Sequence, residues 1–255
     1  MKKPLILLLF CVFLSSNLHA QKTAVKNKPK FRPPAVQKNE AIAVVIDERL
    51  AVLRAEPSLY ARPVQRMRRG RLVRVFEARE ADGVTFYRVA ALPNTPGWVQ
   101  KEAVAARLRR GDDERLARLI QVSDGFERIE RARIFLETYP DSPLRPSILL
   151  FYGDLAEEIA ARLSVEAAKR LSRREMTVSG APVYSFFLNY SSLDRFRRLG
   201  IVFRFNAETR LFHYDGASWQ ELVGRYPNTN EAREAQKRLD SLQEKMQAVN
   251  EPPNR

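Results

Sequence analysis

Two hydrophobic periods divide this chain. From about residue 40 to 105, apolar positions come in short runs separated by turn residues. Ala43 to Ile46 and Val52 to Arg54 are β-rich, the second closed by Pro57-Ser58. Leu72 to Phe76 alternates. Val73 and Val75 share one face, while Leu72, Arg74 and Phe76 share the other. One face is wholly apolar and the other carries a single charge, so both are expected to be at least partly covered. Gly70 precedes this run as a turn residue that tolerates positive φ. Asp82-Gly83 marks a hairpin before a strand over Thr85 to Val89. Pro93 to Gly97 makes a second turn, and Trp98-Val99 forms the last strand. Five or six short strands in about 65 residues predict a small β-barrel, because closure protects strand edges.

Beyond residue 111 the spacing changes to three and four. Asp112-Asp113 caps a helix over Glu114 to Val122, with Leu116, Leu119 and Ile120 on one face. Phe126, Ile129, Ala132, Phe135 and Leu136 give a second amphipathic helix, stopped by Pro140. Ser142-Pro143 opens a long helix to about Arg162, with Pro146 tolerated only in its first turn. Ser164 with Glu166 starts a further helix to about Arg174. Ser191-Ser192 caps a short helix ending at Gly200. Ile201 to Phe205 and Arg210 to Tyr214 read as a β-hairpin. A helix from Ser218 and a longer one carrying Ala232, Ala235, Leu239 and Leu242 complete the pattern.

Four pieces fall in order and at fitting spacing: Leu53-Arg54-x-x-Pro57-Ser58, Arg68-Arg69-Gly70, Phe86-Tyr87-Arg88-Val89 and Gly97-Trp98-Val99. Together they resemble the bacterial SH3-like domain, over about a quarter of the chain. Two departures stand out. Phe86 sits where such domains often carry Trp, and the Ala91 to Pro96 loop is longer and richer in proline. Tyr139-Pro140-Asp141-Ser142 and Tyr226-Pro227-Asn228-Thr229, 87 residues apart, resemble the joints of tetratricopeptide-like helix pairs in envelope proteins. Two joints fall short of a regular repeat of about 34 residues. The fold these resemblances imply is multi-domain α+β: a small SH3-like β-barrel followed by an α-helical array of tetratricopeptide-like helix pairs with a short β-hairpin insert. The barrel covers 40–105 and the helical region 111–248, with its hairpin at 201–214. The resemblance further implies recognition of a cell-wall or peptide ligand. Tyr60, Tyr87 and Trp98 would line a shallow aromatic groove, with Arg54 nearby for a carboxylate. Trp98 and Phe86 suit a barrel core as well.

Composition narrows the chemistry. The 255 residues are 45% hydrophobic and 29% charged, enough for a packed core and one or two domains. Lys2 and Lys3, the apolar run Leu5 to Leu14 and the exit Ser15 to Ala20 form a signal-peptide layout over 1–20, with cleavage expected after Ala20. Ten apolar residues span about 15 Å as helix, against roughly 30 Å of hydrocarbon. No later segment is long and apolar enough, so no transmembrane span is expected in the mature chain. Cys11 and His19 leave with the leader, and His213 is then the one histidine. That excludes disulfides, cysteine nucleophiles and multi-histidine metal centres. No Gly-x-Ser-x-Gly elbow accompanies His213 and Asp215, and no phosphate-cradling glycine loop is present. Glu157 and Glu158 are adjacent on a helix and point in different directions. No cofactor is expected.

The formal charge is +14. Lys22, Lys26, Lys28, Lys30, Arg32 and Lys38 lie in a stretch with no acid and with Pro29, Pro33 and Pro34. Residues 21–39 read as a basic disordered linker, suited to anionic lipid or wall polymer. Arg62, Arg66, Arg68, Arg69, Arg71 and Arg74 form a second cluster that strand geometry would scatter. The expectation is a periplasmic or secreted, non-enzymatic binding or scaffold protein whose partner is a cell-wall polymer or an envelope protein, with no nucleic acid. The alternatives are an envelope assembly factor without wall binding, and a wall-active enzyme with the barrel as targeting module. Deleting 21–38 is expected to weaken retention on anionic surfaces at low salt; undiminished retention would show that the linker contributes nothing.

Overall fold

The alternating segment becomes a seven-stranded antiparallel sheet. Its strands are β1 Ala41–Val45, β2 Val52–Arg54, β3 Pro63–Arg66, β4 Leu72–Ala81, β5 Val84–Ala91, β6 Thr95–Gln100 and β7 Val104–Ala106. The hydrogen-bonded order is β3-β2-β6-β5-β4-β1-β7. The computed structural model describes residues 41–107 and 109–247, all within the contact unit Val36–Arg255. The leader and the basic linker, with Lys22, Lys26, Lys28, Lys30, Arg32 and Lys38, lie outside the described residues.

Three of the strands form a meander. β4 and β5 join at Asp82-Gly83, where both residues have positive φ, and β6 returns along β5. β4 is long because its first half also pairs with β1, from Ala41↔Val75 to Val44↔Leu72. A 3-10 turn over Lys101–Ala103 then carries the chain to β7 beside β1. The turn predicted over 93–97 ends earlier than expected, since β6 begins at Thr95. Trp98-Val99 is not the last strand. β7 follows it, and β3 adds an edge where Pro63 lacks an N–H to offer. Gly97 is required by contact. A Cβ there would lie 2.6 Å from Leu53 Cγ and 2.8 Å from the Arg54 carbonyl oxygen.

From Ala43 to Ile46 the chain is apolar without alternation because its two faces enter different cores, while Ile42 before it is 56% exposed. Ala43 and Val45 join Leu53, Met67, Val73, Val89, Ala91 and Val99 inside the sheet. Val44, and Ile46 just past the strand, join Ala105 and the helical core around Leu116, Ile120, Ile129 and Phe135. Polar contacts reinforce this seam. Ile46 O accepts from Arg131 Nε at 3.1 Å and from Arg69 Nε at 3.3 Å. Arg69 also pairs with Glu127 at 3.1 Å and with Glu130, and Arg131 pairs with Glu127 at 3.0 Å.

The helical part comprises α1 Asp112–Gln121, α2 Gly125–Thr138, α3 Arg145–Arg170, α4 Arg173–Ser179, α5 Val183–Leu188, α6 Asp194–Arg197, α7 Ala217–Arg225 and α8 Asn230–Gln247. The hairpin β8 Phe203–Asn206 and β9 Leu211–Tyr214 lies against α3. The described chain is thus mixed α and β. Four expectations need correction. Ser191-Ser192 caps no helix, because both lie in a 3-10 turn before α6, which ends at Arg197. Asp112 is the first helical residue of α1 and does not cap it. It turns back to accept from Ala106 N at 2.8 Å and Arg109 Nη2 at 2.5 Å. Ser142 does not cap α3, whose first residue is Arg145, with Pro146 in the first turn as foreseen. Ser164 starts no new helix. It lies inside α3, donates to Ala160 O at 2.8 Å and accepts from Phe212 N at 2.7 Å, so it pins the hairpin.

α7 crosses α3 at Gly153. A Cβ there would lie 2.2 Å from Trp219 Nε1, while one at Gly224 in α7 would meet nothing within 4 Å. Gly153→Ala is therefore expected to lower stability by about 2–3 kcal/mol through overpacking. Gly224→Ala is expected to raise it by up to about 1 kcal/mol through helix propensity. Urea denaturation of both variants checks the pair.

Candidate functional site

The register of β2, β5 and β6 builds the site that the sequence suggests in part. Arg88 of β5 and Arg54 of β2 both stand directly opposite Trp98 of β6, one on each side. Cross-strand partners share a face, so two guanidinium-bearing side chains flank one indole. A third arrives from β4. Arg79 CZ lies 5.4 Å from the Trp98 ring centroid, within cation–π range. Arg88 is half exposed and makes a 3.4 Å contact with Glu77. Trp98 itself is 9% exposed, and Phe86 on the same face is fully buried. This face is the side of the sheet turned away from the core of Val73, Val89 and Val99.

The four residues expected in one groove separate into two groups. Arg54 and Trp98 are neighbours, and Arg54 Nη1 donates to Ala61 O at 2.8 Å, which holds the loop between β2 and β3. Tyr60 is on that loop at 90% exposure, away from any wall of a groove. The loop is tied at its base to the β4–β5 turn. Asp82 accepts from Ser58 Oγ and from Leu59 N, both at 2.7 Å. Those bonds, the Ser58 hydroxyl first, hold the Asp82 carboxyl below its usual range. Tyr87 does not belong to this face. It is one residue from Arg88 and points to the opposite side of the strand, where its hydroxyl accepts from Arg109 Nη1 at 2.9 Å. The missed members are Arg79 and Arg88. Arg88 was legible once Phe86, Arg88 and Trp98 were given one parity across the β5–β6 turn; Arg79 needed the β4–β5 register.

The other predicted arginines scatter as strand geometry required. Arg62, Arg66 and Arg68 are exposed, while Arg69 is spent in the buried seam. A polar cleft in the helical layer had no local signal. Arg133, Glu137, Arg145, Tyr152, Tyr214 and Glu221 come from four separate segments and line a space of about 290 Å³. Arg145 donates to Leu136 O at 2.5 Å and pairs with Glu221 at 2.7 Å.

His213 is buried and structural in its contacts. Its Nδ1 is 2.9 Å from Glu157 Oε1. Glu157 also accepts from Tyr214 N at 2.8 Å and Lys245 Nζ at 3.2 Å. Burial pushes the Glu157 carboxyl up, and the bonds from His213 and Tyr214 N–H outweigh it, leaving the group below its usual value. Among the described residues no helix is long and apolar enough to cross a membrane. No family model matches the chain, and no curated protein or solved structure is significantly similar to it.

A depressed carboxyl contributes stability above its unfolded pKa and loses it as pH falls through the folded value. Glu157→Gln is therefore expected to destabilise at pH 7 by about 1–3 kcal/mol, with the difference from the parent shrinking below about pH 4. Urea titrations at pH 7 and pH 3.5 measure it; a difference equal at both would reject the ionised role.

Proposed function

We propose that this chain is an exported, non-enzymatic binding and scaffold protein of the bacterial cell envelope. In this reading, residues 41–106 are an SH3-like barrel that recognises a cell-wall or peptide ligand. Residues 112–247 are a tetratricopeptide-like helical region that docks a partner protein. The barrel reading is supported by the meander β4–β5–β6, the 3-10 turn after it and the return of the last strand beside the first. The helical reading is supported by the two Tyr-Pro joints, each between a shorter and a longer helix.

One observation carries the ligand class: the Trp98 indole framed by Arg54, Arg79 and Arg88. An aromatic edge beside several guanidinium groups suits a ligand with a carboxylate and an apolar body, such as a wall stem peptide. A binding role is supported further by the one histidine beyond the leader, whose Nδ1 is engaged by Glu157. The assembly-factor reading draws on the same arginines, because Trp98 is only 9% exposed and a protein surface carrying acids would meet them equally well.

Retention on purified sacculi tests the proposal, using the chain from Gln21 onward. The parent is expected to be retained and Arg79→Ala/Arg88→Ala to lose about tenfold, both positions being exposed and outside the cores. Equal retention of both proteins would reject the barrel face. Absence of retention, with capture of an envelope protein that the double variant loses, would favour the assembly role. Release of soluble wall fragments by the purified chain would overturn the non-enzymatic reading.

A further inference from the structure

Residues Met176 to Leu193 contain no Asp, Glu, Lys, Arg or His, eighteen in succession in a chain that is 29% charged. Buried, such a run would be ordinary core. Here much of it is outside. Val178 is 83% exposed, Tyr184 51%, Val183 37% and Leu188 36%. The run forms a knuckle: α4, a Gly180-Ala181-Pro182 turn, and α5. Tyr184 and Leu188 lie four residues apart on one face of α5, while Phe187 is buried beneath and stacks on Phe205 at 4.7 Å. The division is clean, so the outward apolar residues are not loose core. A cleft of about 510 Å³ in the same element is lined by Leu171, Phe186, Tyr190 and small uncharged residues.

Charge surrounds this knuckle. Lys169, Arg170, Arg173 and Arg174 precede it, and Arg195, Arg197 and Arg198 follow it. Between 169 and 198 there are seven basic residues against Glu175 and Asp194, a net +5. All seven are exposed. Arg174 and Val178 are one turn apart on the same face of α4. Arg197 donates to Leu188 O, which places its guanidinium at the end of α5. Apolar side chains at the tip with a basic surround are the pattern of an element resting in a lipid interface. The apolar groups enter the acyl boundary, and the cations meet the headgroups.

We infer that the α4–α5 knuckle docks on the anionic face of a phospholipid bilayer. A second copy of this chain is disfavoured as occupant, because a two-fold contact would bring the two basic surrounds together. This surface is separate from the arginine-framed indole of the sheet, and the inference does not rest on what that indole binds.

The test uses the chain from Gln21 onward, which has no cysteine, so a single introduced thiol can carry an environment-sensitive dye. Val178→Cys places the dye on the knuckle. Val122→Cys, 77% exposed at the end of α1, is the control. With vesicles of about 30 mol% anionic lipid, the dye at 178 is expected to shift to the blue and the dye at 122 to stay unchanged. Arg173→Glu/Arg174→Glu is expected to lower vesicle affinity about tenfold at low salt, with the difference much reduced near 0.5 M salt. Neutral vesicles are expected to give little shift. Co-sedimentation without a shift at 178 would assign binding to another part of the chain and overturn the inference. A concentration-dependent shift at 178 without lipid would overturn it in favour of self-association. An equal shift with neutral and anionic vesicles would remove the role of the basic surround.

Discussion

The structure turns on the carbonyl of Ile46. It ends a stretch buried on both sides, between the core of the sheet and that of the helices. Two guanidinium groups, from Arg69 of the sheet region and Arg131 of α2, meet at that one oxygen. Both side chains are about 5% exposed or less, so their charge is far from water. Glu127 and Glu130 supply the compensation. Taking away Glu130, the more buried of the two acids, would strand guanidinium charge at a cost of about 3–5 kcal/mol, while Glu127 is half exposed and screened. Burial pulls the Arg131 guanidinium down, and neighbouring Arg69 adds to that effect. This seam fixes α2 on the sheet.

The double burial of Ala43 to Ile46 also explains what sequence periodicity could and could not show. Ala43 to Ile46 reads as an apolar strand, but a continuous apolar run does not say what covers each face. The helices supply the second cover. Where one face is open, parity works. Val73 is buried as the alternation implied, but Leu72 is 46% exposed, so the second face is less covered at that position than its apolar residues suggested. At both Tyr-Pro joints proline ends the helix, but the following polar residue marks the restart only at the second, since Ser142 does not cap α3. Thr229 shows the mechanism: its Oγ1 accepts from Ala232 N at 3.1 Å.

Misreadings came where a residue type serves two purposes. Ser164 looks like a cap, yet in α3 its hydroxyl returns to Ala160 O and also takes the N–H of Phe212. Asp112 looks like a cap and instead draws together Ala106, Arg109 and Arg115. The Ser164 choice depends on a partner 48 residues away in sequence, which no local pattern encodes, whereas the Asp112 partners all lie within six residues. The candidate site shows the same limit at finer scale. Tyr87 and Arg88 differ by one position, and the strand parity alone sends one to Arg109 and the other to Trp98.

The knuckle poses the inverse problem. Its signal is plain in the sequence as eighteen uncharged residues, but composition gives no direction. Apolar residues earn stability only when covered, and Phe187 and Phe196 are covered while Tyr184 and Val178 are not. α4 and α5 have seven and six residues, too short to be held by helix propensity. α4 is held by its buried Met176, and α5 by Phe187, which packs against Phe205 and Phe212. That anchoring frees the outer face from any structural duty. An outer face without structural duty, apolar at the tip and basic at its base, is constrained by what it meets, and water alone does not account for that pattern.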